Sequence, residues 1–167
     1  MFRIYIIQKI LNFFDFFQQK KIFDFLKKKI KKKSIFFDVG AHHGETVKNI
    51  YKNFKVNQIH SFEASSDNFI FLEKETLNKG YNVILNCIGL SNQKKSTYIN
   101  QYLESSSTTL SSINKKSKYY KMKLNTLGIK NFSKYTKVKK VKLDTLDNYI
   151  KKNNKIKKID LLKIDTE

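Results

Sequence analysis

Three short apolar runs, each giving way to a polar loop, most constrain what this chain folds into. They are "SIFFDVG" from Ser34, "QIHSFEA" from Gln58 and "YNVILNCIGLS" from Tyr81. Between the first two lies "ETVKNIYKNF", where Val47, Ile50, Tyr51 and Phe54 recur at helical spacing. Between the second and third lies "SDNFIFLEKETLNKG", which opens on Ser66 or Asp67 as an N-cap and closes on Gly80. The apolar runs read as buried strands. Strand, helix, strand, helix, strand is the order of a parallel α/β sheet. A chain of 167 residues suits one such domain with a real core.

Beyond Ser91 the pattern loosens. "KSTYINQY" and "KVKKVKL" read as strands, and "LESSSTTLSSINKKSKYY" as a Ser/Thr-rich surface loop. "DTLDNYI" reads as a short helix capped by Asp144, and the apolar centre of "KIDLLKIDTE" as a strand over 158–164. The first 33 residues differ from the rest. Ile7, Ile10, Leu11, Phe14 and Phe17 follow helical spacing, but Lys9, Asn12 and Asp15 break the apolar run well short of the ~20 residues a membrane span needs. No small-residue cleavage site follows, so a secretory signal does not fit. Two readings of residues 2–33 stay open. They form amphipathic helices packed on the domain, or a membrane-surface helix with a lysine-rich flank.

The net charge of +20 invites a nucleic-acid or anionic-membrane partner. Composition offers another source for it. Lys, Asn, Ile, Phe and Tyr abound, Pro and Trp are absent, and Arg3 is the only arginine. That is the signature of AT-rich codons. Scarce arginine also argues against nucleic acid, whose bases and phosphates arginine reads bidentately. The lone Cys87 excludes a disulfide framework and fits a reducing, cytoplasmic compartment. It reads as a small core residue on the third strand.

The loop in "FFDVGAHHGET" carries the chemistry. A phosphate loop does not fit. Gly40 and Gly44 stand one residue too close for G-x-x-x-x-G-K-[ST], and in the dinucleotide pattern His42 and Glu45 occupy glycine positions. Asp38 and Glu45 would also oppose a diphosphate. A metal would need a third ligand beside His42 and His43, and His60 is the only other histidine, so no metal site is assigned. A cationic ligand fits better. S-adenosylmethionine carries an ammonium and a sulfonium but no phosphate. Asp38, Gly40 and a helix N-terminus suit its methionine end. Glu63, about 20 residues on, stands where strand-end acids bind ribose hydroxyls.

Asp38-Val-Gly-Ala-x-x-Gly44, Phe62-Glu63, the stretch Asn86–Ser91, Leu146-Asp147 and "LLKIDTE" from Leu161 together resemble the FkbM-type methyltransferase domain over roughly residues 34–167. The resemblance implies an α/β, Rossmann-like class I methyltransferase fold, with a parallel sheet and flanking helices. It implies S-adenosylmethionine as cofactor and a hydroxyl on a sugar, glycoconjugate or other small metabolite as methyl acceptor. It implies that Asp38, Gly40 and Gly44 face the methionine part, Glu63 the ribose, and Asn86 and Ile88 the adenine; His42 is counted with the cofactor-binding loop by position, though the resemblance does not explain it. Asp165 then orients the acceptor hydroxyl or acts as base. The family usually has Asn where His42 stands and often Pro where Ala64 stands. It continues past Glu167, so the chain is expected to carry the cofactor-binding half only, residues 34–167, cut after the fourth core strand.

Plainer roles stand beside these. Asp38 reads also as a helix cap, Glu63 as a solvated acid, Asn86 as a partner of loop backbone, and Asp165 as structural. The competing functions are a lysine-rich binding module without catalysis and a pseudoenzyme keeping the fold alone.

Overall fold

The computed structural model describes residues 6, 19–102, 114, 116–128 and 136–166. A helix over 19–29 (α1) is followed by β1 (Ser34–Val39), α2 (Glu45–Asn53), β2 (Val56–Phe62), α3 (Ser66–Leu77) and β3 (Val83–Asn86). Then come β4 (Gly89–Leu90), β5 (Lys95–Tyr102), α4 (Lys118–Leu127), β6 (Thr136–Asp144), α5 (Leu146–Lys152) and β7 (Leu161–Ile164). The main sheet is wholly parallel, in the order β3-β2-β1-β7. A second sheet, β4-β6-β5, pairs β4 parallel and β5 antiparallel to β6.

β1 is paired on both edges by β2 and β7, and both its faces are covered, by α2 and α3 on one side and α5 on the other, so its apolar run needs no polar alternation. Phe36 looks to one side, into a cluster with Val47, Ile50, Ile59 and Leu72 from α2, β2 and α3. Phe37 looks to the other, into a cluster with Val39, Phe62, Tyr149 and Ile156 on the α5 side. Both rings are wholly buried, each contributing on the order of 2–3 kcal/mol of transfer free energy. α1 lays Phe23 on the first cluster, 5.9 Å from Phe54 between ring centroids, and Ile30 just beyond the helix packs there too. Ile22 and Phe25 of α1 are exposed.

Several sequence expectations are corrected. The third apolar run is two strands, not one. β3 completes the main sheet, Cys87 and Ile88 lead out of it, and β4 joins the second sheet. Ile88 and Leu90 pack on the same core cluster as Phe37, so hydrophobicity continues across the break and hides it. Cys87 is exposed rather than buried. The α3 cap is Ser65, whose hydroxyl accepts from the Asn68 amide. The α5 cap is Thr145, not Asp144. Asp144 instead pairs with Lys152 and accepts from the Thr145 amide. β7 begins at Leu161 because Asp160 turns aside to clasp Ile35, accepting its amide through Oδ2 and donating its own amide to the Ile35 carbonyl.

The apolar positions Ile7, Ile10, Leu11, Phe14 and Phe17, the serine-rich stretch 105–112 and Glu167 lie outside the described residues. Among the described residues, no helix is long and apolar enough to cross a membrane.

β7 hydrogen-bonds to β1 alone among the described strands, and it exposes Leu162 (39%) and Ile164 (66%). An open parallel edge with apolar side chains templates pairing with another chain. The chain is expected to self-associate, and Ile164→Lys to shift it toward monomer in light scattering. Unchanged association in the variant would place the contact elsewhere.

Candidate functional site: the carboxyl ends of β1, β2 and β7

Register puts three polar residues side by side across the sheet. Asp38 of β1 stands opposite Ser61 of β2 and Lys163 of β7. Asp38 and Ser61 have no exposed surface. Lys163 Nζ lies 3.0 Å from Asp38 Oδ1 and donates to the Gly40 carbonyl at 3.2 Å. Neither Asp38 oxygen receives an aligned hydrogen bond, and Ser61 Oγ has no partner. Burial pushes the Asp38 carboxyl up to about 6, against the pull of Lys163. A buried carboxylate left this way costs free energy. Lys163 stands beside Oδ1 only, so Oδ2 is left to meet a further cationic group.

The loop after β1 is held by backbone. The Gly40 and Ala41 amides both donate to the Phe62 carbonyl, at 2.9 and 3.0 Å. Gly40, His42 and Gly44 have φ of 78°, 48° and 90°. At Gly40 a Cβ would also collide with the Asp165 carbonyl oxygen, so glycine is required there by the close approach of β7. Gly44 caps α2 without a side-chain acceptor, which leaves the first amides of that helix for another partner.

Glu63 locks the loop from below. Its Oε2 accepts from the His42 amide at 2.9 Å and its Oε1 from the Ser65 amide at 2.8 Å. It is buried rather than solvated. Each oxygen keeps one lone pair for a further donor. His42 stacks on His43 with centroids 3.8 Å apart, and His42 Nδ1 lies 3.7 Å from Glu45 Oε2. The adjacent His42 ring holds the Glu45 carboxyl down to about 2. Burial, with His42 alongside, lowers His43 below the usual histidine range.

Asp38, Gly40, His42, Gly44, Glu63 and Asp165 thus gather at one end of the main sheet. Asp165 is exposed just past β7, its carboxylate 3.4 Å from Lys163 and its amide donating to the Val39 carbonyl. Asn86 ends β3, and its amide group donates to the Ser61 and Ile84 carbonyls. Ile88 packs against the Phe37 cluster. His60 stays out of the loop. It is buried on β2, 4.6 Å from the Phe37 ring, with Nδ1 2.8 Å from the Tyr149 hydroxyl, and burial lowers its pKa to about 4. Sequence reading passed over Lys163. Its one signal is a lysine inside an apolar strand, between Leu162 and Ile164.

No curated protein matches the chain. The family model described as the methyltransferase FkbM domain matches residues 38–167, beginning at the buried aspartate and reaching past the strand that supplies its lysine. That span takes in every strand-end residue gathered here, in a four-stranded parallel sheet flanked by helices. The chain therefore belongs to the FkbM methyltransferase family.

Proposed function

We propose that this methyltransferase takes its methyl group from S-adenosylmethionine and passes it to a hydroxyl of a small metabolite or glycan. One observation carries the reading. Asp38 is a wholly buried carboxylate with no aligned hydrogen bond, at the strand end beside a loop whose shape Glu63 maintains. The donor would supply a methyl carbon already activated by its sulfonium. Asp38, ionised above about pH 6, would face the positive methionine end. The uncapped first turn of α2 would receive the carboxylate. Glu63 would accept from the ribose hydroxyls with its free lone pairs. Asp165, exposed beyond β7, would orient the acceptor hydroxyl.

Calorimetric titration with S-adenosylmethionine should give binding in the micromolar range, and no heat at millimolar donor would overturn the reading. Glu63→Ala should weaken binding by ~100-fold, the ~2–3 kcal/mol expected when a carboxylate acceptor is lost. Unchanged affinity in that variant would remove Glu63 from the site. Transfer of labelled methyl to hydroxyl-bearing sugars, scored by mass, tests the acceptor class.

The exposed Ile22 and Phe25 of α1, set among Lys20, Lys21, Lys27, Lys28 and Lys29, support peripheral attachment of the same enzyme to an anionic membrane surface. Sedimentation with anionic vesicles but not neutral ones is the expected result. Equal sedimentation with both, or with neither, would overturn it.

A further inference from the structure

The donor loop holds a second set of ligating groups. His42, His43 and Glu45 each bring one ligand atom within 4.8 Å of the others. The loop backbone imposes this. His42 sits at φ 48° with its amide tied to Glu63, and the two imidazoles stack face to face, 15° from parallel, so that one ring must turn about its own side-chain bonds to bring both lone pairs onto one ion. Glu45 then opens α2, so its carboxylate comes round beside both rings. The sequence offered His60 as a third ligand, but that residue is buried elsewhere against Tyr149 and Gln58. Glu45 takes the place.

The donors are chemically matched to one class of ion. Two imidazoles and one carboxylate, with a fourth position open to water, is a set that zinc and its neighbours accept. Magnesium and calcium prefer oxygen alone. His43 Nε2 is buried and has no aligned hydrogen-bond partner, with the Asn68 side chain beside the ring, so a coordinated ion would satisfy that nitrogen. The Glu45 side chain is 61% exposed, which leaves a path for a hydrated ion to enter.

We propose that His42, His43 and Glu45 form a three-ligand transition-metal site of the zinc class at the mouth of the donor loop. The site itself does not depend on the identity of the methyl donor. If the proposed donor is correct, the ion and the donor's methionine end contend for the same loop.

The test uses tag-free full chain, stripped with chelator, in a buffer without imidazole or thiol. Cobalt(II) is titrated first, and zinc is then added to displace it. The expected result is one cobalt per chain with visible d–d absorption, bleached by zinc. Glu45→Gln and His43→Gln should each weaken cobalt binding by about 10-fold or more, with unchanged far-UV circular dichroism. Because Glu45 is exposed, its variant decides the matter even where His43→Gln fails to fold. Absence of the absorption band, or equal affinity in Glu45→Gln, would overturn the proposal. No donor enters this experiment, so its failure leaves the methyl-donor reading standing, and failure of donor binding leaves the metal site standing.

Discussion

Asp38→Asn should make the protein more stable at pH 7 while reducing donor affinity by ~100-fold or more. The two effects have one cause. Burial raises the Asp38 carboxyl from 3.8 to about 6, so the fold carries a charge that its surroundings disfavour. A rise of that size corresponds to ~3 kcal/mol of destabilisation above pH 6. Asparagine removes that cost. The Lys163 ammonium loses the Asp38 carboxylate but keeps Asp165 and the Gly40 carbonyl, and its side chain is 28% exposed to water. A net gain of about 1–2 kcal/mol is expected in urea denaturation at pH 7. The affinity falls on the proposed reading, in which a neutral amide cannot pair with the donor's cationic methionine end.

The pH dependence separates this from ordinary repacking. A raised carboxylate contributes most to stability below pH 3.8 and loses that contribution as pH rises through about 6. His60 runs the other way. Its pKa is depressed from 6.5 to about 4, so its contribution is present above 6.5 and lost as pH falls through about 4. In the wild type these two opposed slopes largely cancel between pH 4 and 6.5. In Asp38→Asn the opposing slope is gone, and His60, joined by the depressed His43, should lower stability by roughly 3 kcal/mol as the pH falls across that window. A variant less stable than wild type at pH 7 would refute the account. So would a wild-type profile as steep as the variant's.

Lys163→Met should move the pH profile of donor binding rather than merely lower it. Lys163 is the largest influence opposing the upward displacement of the Asp38 pKa. Without the ammonium 3.0 Å away, the Asp38 carboxyl rises above about 6. In the wild type, donor affinity should decline as pH falls through about 6, as Asp38 takes up a proton. In the variant the midpoint should lie near pH 7 or above. With a midpoint near 7 about half of the sites are protonated at pH 7, so binding there should be about 2-fold weaker, and the loss should steepen to ~10-fold for each further pH unit of acidification. Binding should recover toward wild type at pH 9. Lys163→Arg, which keeps the cation, should restore much of the wild-type profile. A uniform loss at every pH would mean that the lysine only supports β7.

The first half of the fold was legible because its physics is local. Phe36 and Phe37 point to opposite faces of a covered strand, so the segment had to be apolar throughout. Val47 and Ile50 mark the inner side of α2 by spacing alone. Asp38 and Glu63 stood out because acids at the ends of apolar strands are otherwise costly. The rest depends on register between distant segments. Lys163 is one of 34 basic residues and gains meaning only when β7 sets it opposite Asp38. Glu45 as companion of both histidines needs the left-handed turn at His42, which no spacing rule reveals. The break at Cys87 was hidden because both halves of that run are apolar, Val83 and Leu85 packing on the Phe36 cluster and Ile88 and Leu90 on the Phe37 cluster. Glycine at 40 looked like room for a ligand, whereas the Asp165 backbone fills that room.

The pairing of β1 with β7 also governs how this protein emerges from the ribosome. Asp38 leaves the exit tunnel early, but the lysine that neutralises it, Lys163, is encoded 125 positions later. At about 5–20 residues per second, synthesis of that interval takes on the order of ten seconds. Throughout that time β1 has β2 as a neighbour but not β7, and the Gly40 corner lacks the Asp165 backbone that closes against it. A nascent chain is thus exposed at a strand destined for the interior of its sheet, and the corner at Gly40 cannot close before β7 has emerged. Ribosome-stalled chains released at successive lengths would acquire a protease-resistant β1 only once residue 164 has cleared the tunnel.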